Sequence, residues 1–141
     1  MKRFLADVNV WFALAVEEHQ HHTAARQWLE QMVGKAGFIR ITQLGLLRLL
    51  TNSAAMGGKP LTNDEAWRVY DGLTADHRIH VFAEPGGSAD EAFRAMSAAA
   101  RPSPKIWIDA YLAAAAKSND AVLVTFDRAF ASYAVEAEIL G

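Results

Sequence analysis

Three aspartates, Asp7, Asp109 and Asp127, have positions in the sequence that predict chemistry. Asp7 and Asp127 each follow a short apolar segment that is predicted to be a strand. Asp109 interrupts the apolar segment 106–113, where an unpaired charge would cost on the order of several kcal/mol. Because an open parallel sheet binds its ligands beyond the carboxyl ends of its strands, we expect the three carboxylates to share one metal site.

The chemistry expected of such a site is phosphodiester hydrolysis. Mg²⁺ and Mn²⁺ prefer oxygen ligands, and one or two carboxylates commonly hold such an ion together with a substrate phosphate. The ion can activate a water molecule and stabilise the charged transition state. A simpler interpretation stays open for Asp7 and Asp127, since each could cap the helix that follows it.

The composition limits the class of protein. The chain has 141 residues, of which 52% are hydrophobic, and this is enough for one domain spanning residues 1–141. The net charge of -2 argues against a protein that coats nucleic acid. The absence of cysteine excludes disulfides and thiolate metal sites and fits a cytoplasmic protein.

No segment predicts export or membrane insertion. The basic start of the chain resembles a secretory signal, but Asp7 and Asn9 interrupt its apolar part. The apolar segment 106–116 contains Asp109 and is much shorter than the ~20 residues that cross a membrane. We therefore expect no membrane partner.

Predicted strands and helices alternate along the chain. Strands are expected at residues 3–6, 38–41, 80–83 and 121–126. Helices are expected at residues 9–16, 23–33, 44–50, 62–73, 88–100, 105–117 and 128–132, with capping boxes that start at Thr62 and Ser88. This alternation predicts an α/β sandwich on a mostly parallel sheet.

Four motifs together resemble the PIN-domain ribonucleases, and most closely the VapC branch of toxins. The motifs are Asp7-Val8-Asn9-Val10, the segment 42–52, Asp109-Ala110-Tyr111-Leu112-Ala113 and Thr125-Phe126-Asp127-Arg128. The resemblance covers essentially the whole chain. It implies a three-layer α/β/α fold, a homodimer, dependence on Mg²⁺ or Mn²⁺, endonucleolytic cleavage of RNA, and a cognate VapB-type antitoxin.

The same resemblance assigns roles to individual residues. Asp7, Asp109 and Asp127 would be the metal ligands, and Asn9 and Thr125 would support them. Gln43 would also belong to the catalytic group. Many PIN domains carry a glutamate where this chain has Gln43, and an amide in that position would weaken the site and disfavour a second ion.

Three cations are candidates for contacts with the RNA. Arg48 lies among leucines, so its guanidinium must reach either solvent or a charged partner such as phosphate. Lys105 and Arg128 flank two of the aspartates. The cluster formed by His19, His21 and His22 lacks the spacing of helical metal ligands and is expected to be solvated.

Three functions compete on this evidence. The first is a metal-dependent endoribonuclease that acts as a toxin. The second is a PIN-like module that Gln43 has made catalytically weak and that binds RNA or protein. The third is a phosphoacceptor domain, which ranks last because Asp7 has no acidic neighbour.

Overall fold

The computed structural model describes every residue from Met1 to Gly141. The strands are β1 (Arg3–Ala6), β2 (Lys35–Phe38), β3 (Ile79–Val81), β4 (Val122–Thr125) and β5 (Ala137–Ile139). The helices are α1 (Val8–Ala15), α2 (His22–Gln31), α3 (Arg40–Leu50), α4 (Asn63–Thr74), α5 (Gly87–Ser97) and α6 (Ile106–Ser118). A short 3₁₀ helix spans Arg128–Ser132.

The five strands form one parallel sheet in the order β3-β2-β1-β4-β5. The chain first builds outward from β1 to β3, then returns to the other side of β1 with β4 and β5. The order therefore reverses between β1 and β4, where Ala6 pairs with Val124. Such a switch point leaves a crevice at the carboxyl ends of the two strands.

Helices cover both faces of the sheet. Alternate residues of β1 and β4 point in opposite directions, so Phe4 and Val122 join one core and Leu5 and Leu123 join the other. The first core packs against α1 to α4 and the second against α6 and the 3₁₀ helix. The predicted three-layer α/β/α fold is confirmed.

The predicted boundary between β2 and α3 was wrong. The strand ends at Phe38, whose ring lies in the core between Trp11 and Tyr70, with a centroid distance of 3.9 Å to the Trp11 ring. The following helix begins at Arg40, before Gln43, because the Thr42 side chain accepts a hydrogen bond from the Ile39 amide. This local cap overrides the β-branched character of the sequence.

Other predictions differ in detail. The capping box of α4 is confirmed, since Thr62 and Glu65 exchange hydrogen bonds. The box predicted at Ser88 does not form, because α5 already begins at Gly87. This helix also ends earlier than predicted, at Ser97. The predicted third strand begins at Ile79 and ends at Val81, and the edge strand β5 was not predicted.

Only two of the four tryptophans lie in the core. Trp11 and Trp28 are buried, whereas Trp67 and Trp107 are half exposed. No helix has both the length and the apolar character that a membrane span requires.

Candidate active site

Asp7 lies at the switch point, directly after β1. Its backbone amide continues the ladder to β4 with a hydrogen bond of 2.8 Å to the Val124 carbonyl. Its carboxylate caps α1, because Oδ1 accepts a hydrogen bond of 2.7 Å from the Val8 amide. The capping role predicted as the simpler interpretation therefore exists, and it occupies only one of the two oxygens.

Asp127 lies two residues beyond β4. It also caps a helix, since Oδ1 accepts a hydrogen bond of 2.9 Å from the Ala129 amide at the start of the 3₁₀ helix. The second oxygen, Oδ2, lies 2.9 Å from the Lys105 ammonium. Both ends of the carboxylate are thus held in place.

Asp109 reaches the same region from α6, which packs on the face of the sheet opposite to α1. It lies in the first turn of α6, where the helix dipole favours a negative charge. Its carboxylate is partly buried and makes no hydrogen bond with another group of the protein. Among the three aspartates, it has the least compensation for its charge.

Thr125 and Asn9 connect the ends of the two strands. The buried Thr125 hydroxyl donates a hydrogen bond of 2.8 Å to Asp7 Oδ2 and accepts one of 3.0 Å from the Asp127 amide. Asn9 donates to the same hydroxyl at 3.4 Å and accepts from the Phe126 amide at 3.3 Å. These two side chains fix the relative positions of Asp7 and Asp127.

The three carboxylates are close enough to affect one another. Burial raises the pKa of Asp7, and the negative charges of Asp109 and Asp127 raise it further, while the Thr125 and Val8 hydrogen bonds oppose the increase. Burial also raises the pKa of Asp109. The positive charge of Lys105 lowers this pKa, and the negative charge of Asp127 raises it. The pKa of Asp127 is lowered by the Ala129 amide and by Lys105. A site with this much negative charge attracts cations.

The side chains do not form a closed metal site in the present arrangement. No group of three or more His, Cys, Asp and Glu side chains converges closely enough to hold a metal ion. The Lys105 ammonium instead neutralises Asp127. The donors available are all carboxylate, amide and hydroxyl oxygens, which are the ligands that Mg²⁺ and Mn²⁺ prefer.

Gln43 has a different environment from the three aspartates. Its side chain is buried on α3, and its Oε1 accepts a hydrogen bond of 2.6 Å from Arg40. No hydrogen bond joins it to Asp7, Asp109 or Asp127. The catalytic role predicted for Gln43 stays a prediction without a contact to support it.

The other two predicted RNA contacts are exposed and unpaired. Arg48 lies in the last turn of α3, where a positive charge interacts favourably with the helix dipole. Arg128 begins the 3₁₀ helix, directly after Asp127. Neither side chain makes an ion pair or a hydrogen bond within the protein, and only Arg128 adjoins an aspartate of the site.

Two features near the aspartates were not predicted from the sequence. The Tyr133 phenol is partly buried, and beyond that burial the charges of Asp109 and Asp127 raise its pKa. The His21 ring stacks on Phe126 with a centroid distance of 4.5 Å, so it is packed rather than solvated. From the sequence, His21 was marked only as part of a solvated cluster and Tyr133 was not marked, because both residues lie in loops that the fold brings to the switch point.

Comparisons with known proteins identify the family to which this chain belongs. The family model of the PIN domain matches residues 4–136. Ribonuclease VapC41 of Mycobacterium tuberculosis is 47% identical in an alignment 135 residues long, and the match covers 92% of this chain and 92% of that protein. The aligned region therefore extends over nearly the whole chain.

Two solved structures have the same fold. The Mycobacterium tuberculosis toxin VapC20, which cleaves the sarcin-ricin loop, matches with a TM-score of 0.67 and 14% identity over 92% of this chain and 95% of its own. The Rickettsia felis VapBC2 complex with a promoter DNA fragment matches with a TM-score of 0.67 and 12% identity over 99% of both chains. The family match, the sequence identity and the shared fold lead to one conclusion: this chain belongs to the PIN-domain family, in the branch of the VapC ribonucleases.

Proposed function

We propose that this protein is a metal-dependent endoribonuclease that acts as the toxin of a type II toxin-antitoxin system. The observation that carries the proposal is the group of three electrostatically coupled aspartates at the switch point of the sheet. The similarity to ribonuclease VapC41 supports RNA as the substrate.

The residues at the site fit Mg²⁺ or Mn²⁺. Asp7, Asp109 and Asp127 would hold the metal ion. In the present arrangement, the positively charged Lys105 ammonium binds one of these carboxylates, that of Asp127. When bound, the cation supplies the chemistry of the reaction, because it lowers the pKa of the attacking water and offsets charge on the phosphate. The side chains would have to move to hold the cation together, since the carboxylates do not converge in this arrangement.

The remaining residues position the site and its substrate. Thr125 and Asn9 hold Asp7 and Asp127 through the hydrogen bonds between β1 and β4. Lys105 and Arg128 are exposed at the edge of the site, where a positive charge offsets that of an RNA phosphate. Arg48 is assigned a weaker phosphate contact, because no interaction places it beside the aspartates.

Gln43 bears on the alternative function, a catalytically weak binding module. The amide is engaged by Arg40 and makes no hydrogen bond with the aspartates. Gln43 therefore does not supply a ligand in this arrangement, and a carboxylate in its place would first form an ion pair with Arg40. We accordingly rank the active nuclease above the binding module, and Gln43→Glu should change cleavage only slightly.

The partners follow from the same assignment. Several structural neighbours are complexes of a toxin with its antitoxin, including VapBC-1 of Haemophilus influenzae. We propose that a VapB-type antitoxin binds this protein, that the protein forms a homodimer, and that it cleaves RNA in the cytoplasm.

The test is cleavage of a structured RNA of mixed sequence by the purified protein. The reactions contain Mn²⁺, or EDTA, or Asp109→Asn with Mn²⁺. Asp120→Asn is the matched control, because Asp120 precedes β4 at the other end of the sheet and has a positive φ of 50° that asparagine tolerates. Cleavage should be lost with EDTA and with Asp109→Asn and retained with Asp120→Asn. Full cleavage by Asp109→Asn would contradict the assignment.

A further inference from the structure

Lys105 occupies a position that is electrostatically unfavourable for a lysine. It is the residue that precedes α6, at the end of the helix where the dipole opposes a positive charge. Its side chain does not cap the helix. A lysine at this position must gain its compensation from outside the helix.

That compensation comes from the aspartates of the site. The ammonium donates a hydrogen bond of 2.9 Å to Asp127 Oδ2, and this bond, together with the charges of Asp127 and Asp109, raises the pKa of Lys105. The Lys105 side chain is 71% exposed, so no packing holds it in place. The ammonium can therefore leave the carboxylate when a stronger competitor arrives.

The carboxylate oxygen that Lys105 binds is the one that Asp127 could offer to a metal ion without weakening its helix cap. Asp127 Oδ1 accepts the hydrogen bond from the Ala129 amide that starts the 3₁₀ helix. Binding a cation through Oδ1 would weaken this cap, whereas binding through Oδ2 preserves it. Lys105 and a divalent cation therefore compete for the same oxygen.

From this geometry we infer that Lys105 is a tethered counter-ion of the metal-free site, which a divalent cation must displace from Asp127. This inference rests on the proposed function, because it assigns a role to Lys105 toward the proposed metal. The displaced ammonium stays beside the site on its flexible side chain. Lys105 thus weakens metal binding and offsets the negative charges of Asp127 and Asp109 before the metal arrives.

The test is direct measurement of Mn²⁺ affinity by titration calorimetry in the absence of RNA. Lys105→Met removes the charge and keeps most of the side-chain length, Lys105→Arg keeps the charge, and Lys59→Met is the control at an exposed loop lysine. An exposed ion pair changes an equilibrium constant by a factor of at most about five. Lys105→Met should therefore lower the Kd for Mn²⁺ by about threefold to fivefold. Lys105→Arg and Lys59→Met should retain the affinity of the natural protein.

Each outcome decides the inference. A Kd for Lys105→Met that equals or exceeds that of the natural protein would overturn it, and so would an equal gain in affinity with Lys59→Met. Failure of Mn²⁺ to bind any of the proteins would overturn it together with the proposed metal dependence. Tighter Mn²⁺ binding without RNA cleavage would leave the inference standing and would count against the nuclease alone.

Discussion

The hydroxyl of Thr125 donates a hydrogen bond of 2.8 Å to Asp7, although the two residues are 118 positions apart. The same oxygen accepts the backbone amide of Asp127 at 3.0 Å. One fully buried threonine therefore connects two of the three carboxylates. Its removal should affect both.

Thr125→Val is expected to impair both stability and Mn²⁺ binding. Valine has nearly the same shape, but it leaves the Asp127 amide without an acceptor, at a cost of about 1–3 kcal/mol in the free energy of unfolding. Because the Thr125 hydroxyl holds the Asp7 carboxylate and the Asp127 backbone in place, its loss should lower Mn²⁺ affinity or activity by about 10–100-fold. Urea unfolding and Mn²⁺ titration measure the two effects. Thr125→Ser keeps the hydroxyl and should resemble the natural protein.

Asp109→Asn should make the metal-free protein more stable while it abolishes cleavage. The raised pKa of Asp109 means that folding disfavours its charged form, so the destabilisation is absent below the usual pKa and grows as the pH rises through the raised pKa. At pH 7 the amide removes this destabilisation. Thermal unfolding in EDTA should therefore show a higher midpoint, and added Mn²⁺ should raise it less than in the natural protein. A lower midpoint in EDTA would contradict this account.

Gly45→Ala should displace the helix that begins at the site. A Cβ atom at Gly45 would lie 2.5 Å from a Val8 methyl group, and Val8 directly follows Asp7. Overpacking of this kind costs about 1–3 kcal/mol in the free energy of unfolding. Adding Val8→Ala should restore much of the loss, because it removes the methyl groups.

Gly72→Ala provides the control for this change. Gly72 lies within α4, and a Cβ atom there would meet no other atom within 4 Å. Alanine in an exposed helix should raise the free energy of unfolding by about 0.5–1 kcal/mol. If both glycine variants lost stability equally, contact with Val8 would not be the cause.

Asp76→Asn should reduce stability at neutral pH but not in acid. The Arg78 guanidinium binds both oxygens of Asp76, at 2.7 and 3.0 Å, and lowers the pKa of that carboxyl to about 2. The stabilisation is therefore complete above the usual pKa of 3.8 and declines as the pH falls toward 2. We expect the variant to lose about 1 kcal/mol at pH 7. Urea unfolding from pH 7 to pH 3 should show the two proteins converging below pH 4.

The sequence predicted the parts of the fold that depend on local patterns. The strands around Leu5 and Leu123 are short apolar segments, and the start of α4 follows from the hydroxyl and carboxylate of Thr62 and Glu65. The strand β2 could not be placed, because Lys35-Ala36-Gly37 has little β propensity and is a strand only through its pairing with β1 and β3.

The same distinction applies to the site. Asp7, Asp109 and Asp127 were selected as candidates because a charge beside buried apolar residues needs an explanation. The pairing of Lys105 with Asp127 could not be predicted, since it depends on how α6 crosses the end of β4. Tyr133 was missed for the same reason, because its loop carries no pattern of its own.

The adjacency of β1 and β4 also determines when during synthesis the site can exist. Ala6 pairs with Val124. The strand that lies beside Asp7 is therefore missing until β4 has left the ribosome. A nascent chain that ends before Ala121 has Asp7 and Asp109 but neither Thr125 nor Asp127. Translation must therefore pass Asp127 before the complete group of carboxylates can assemble.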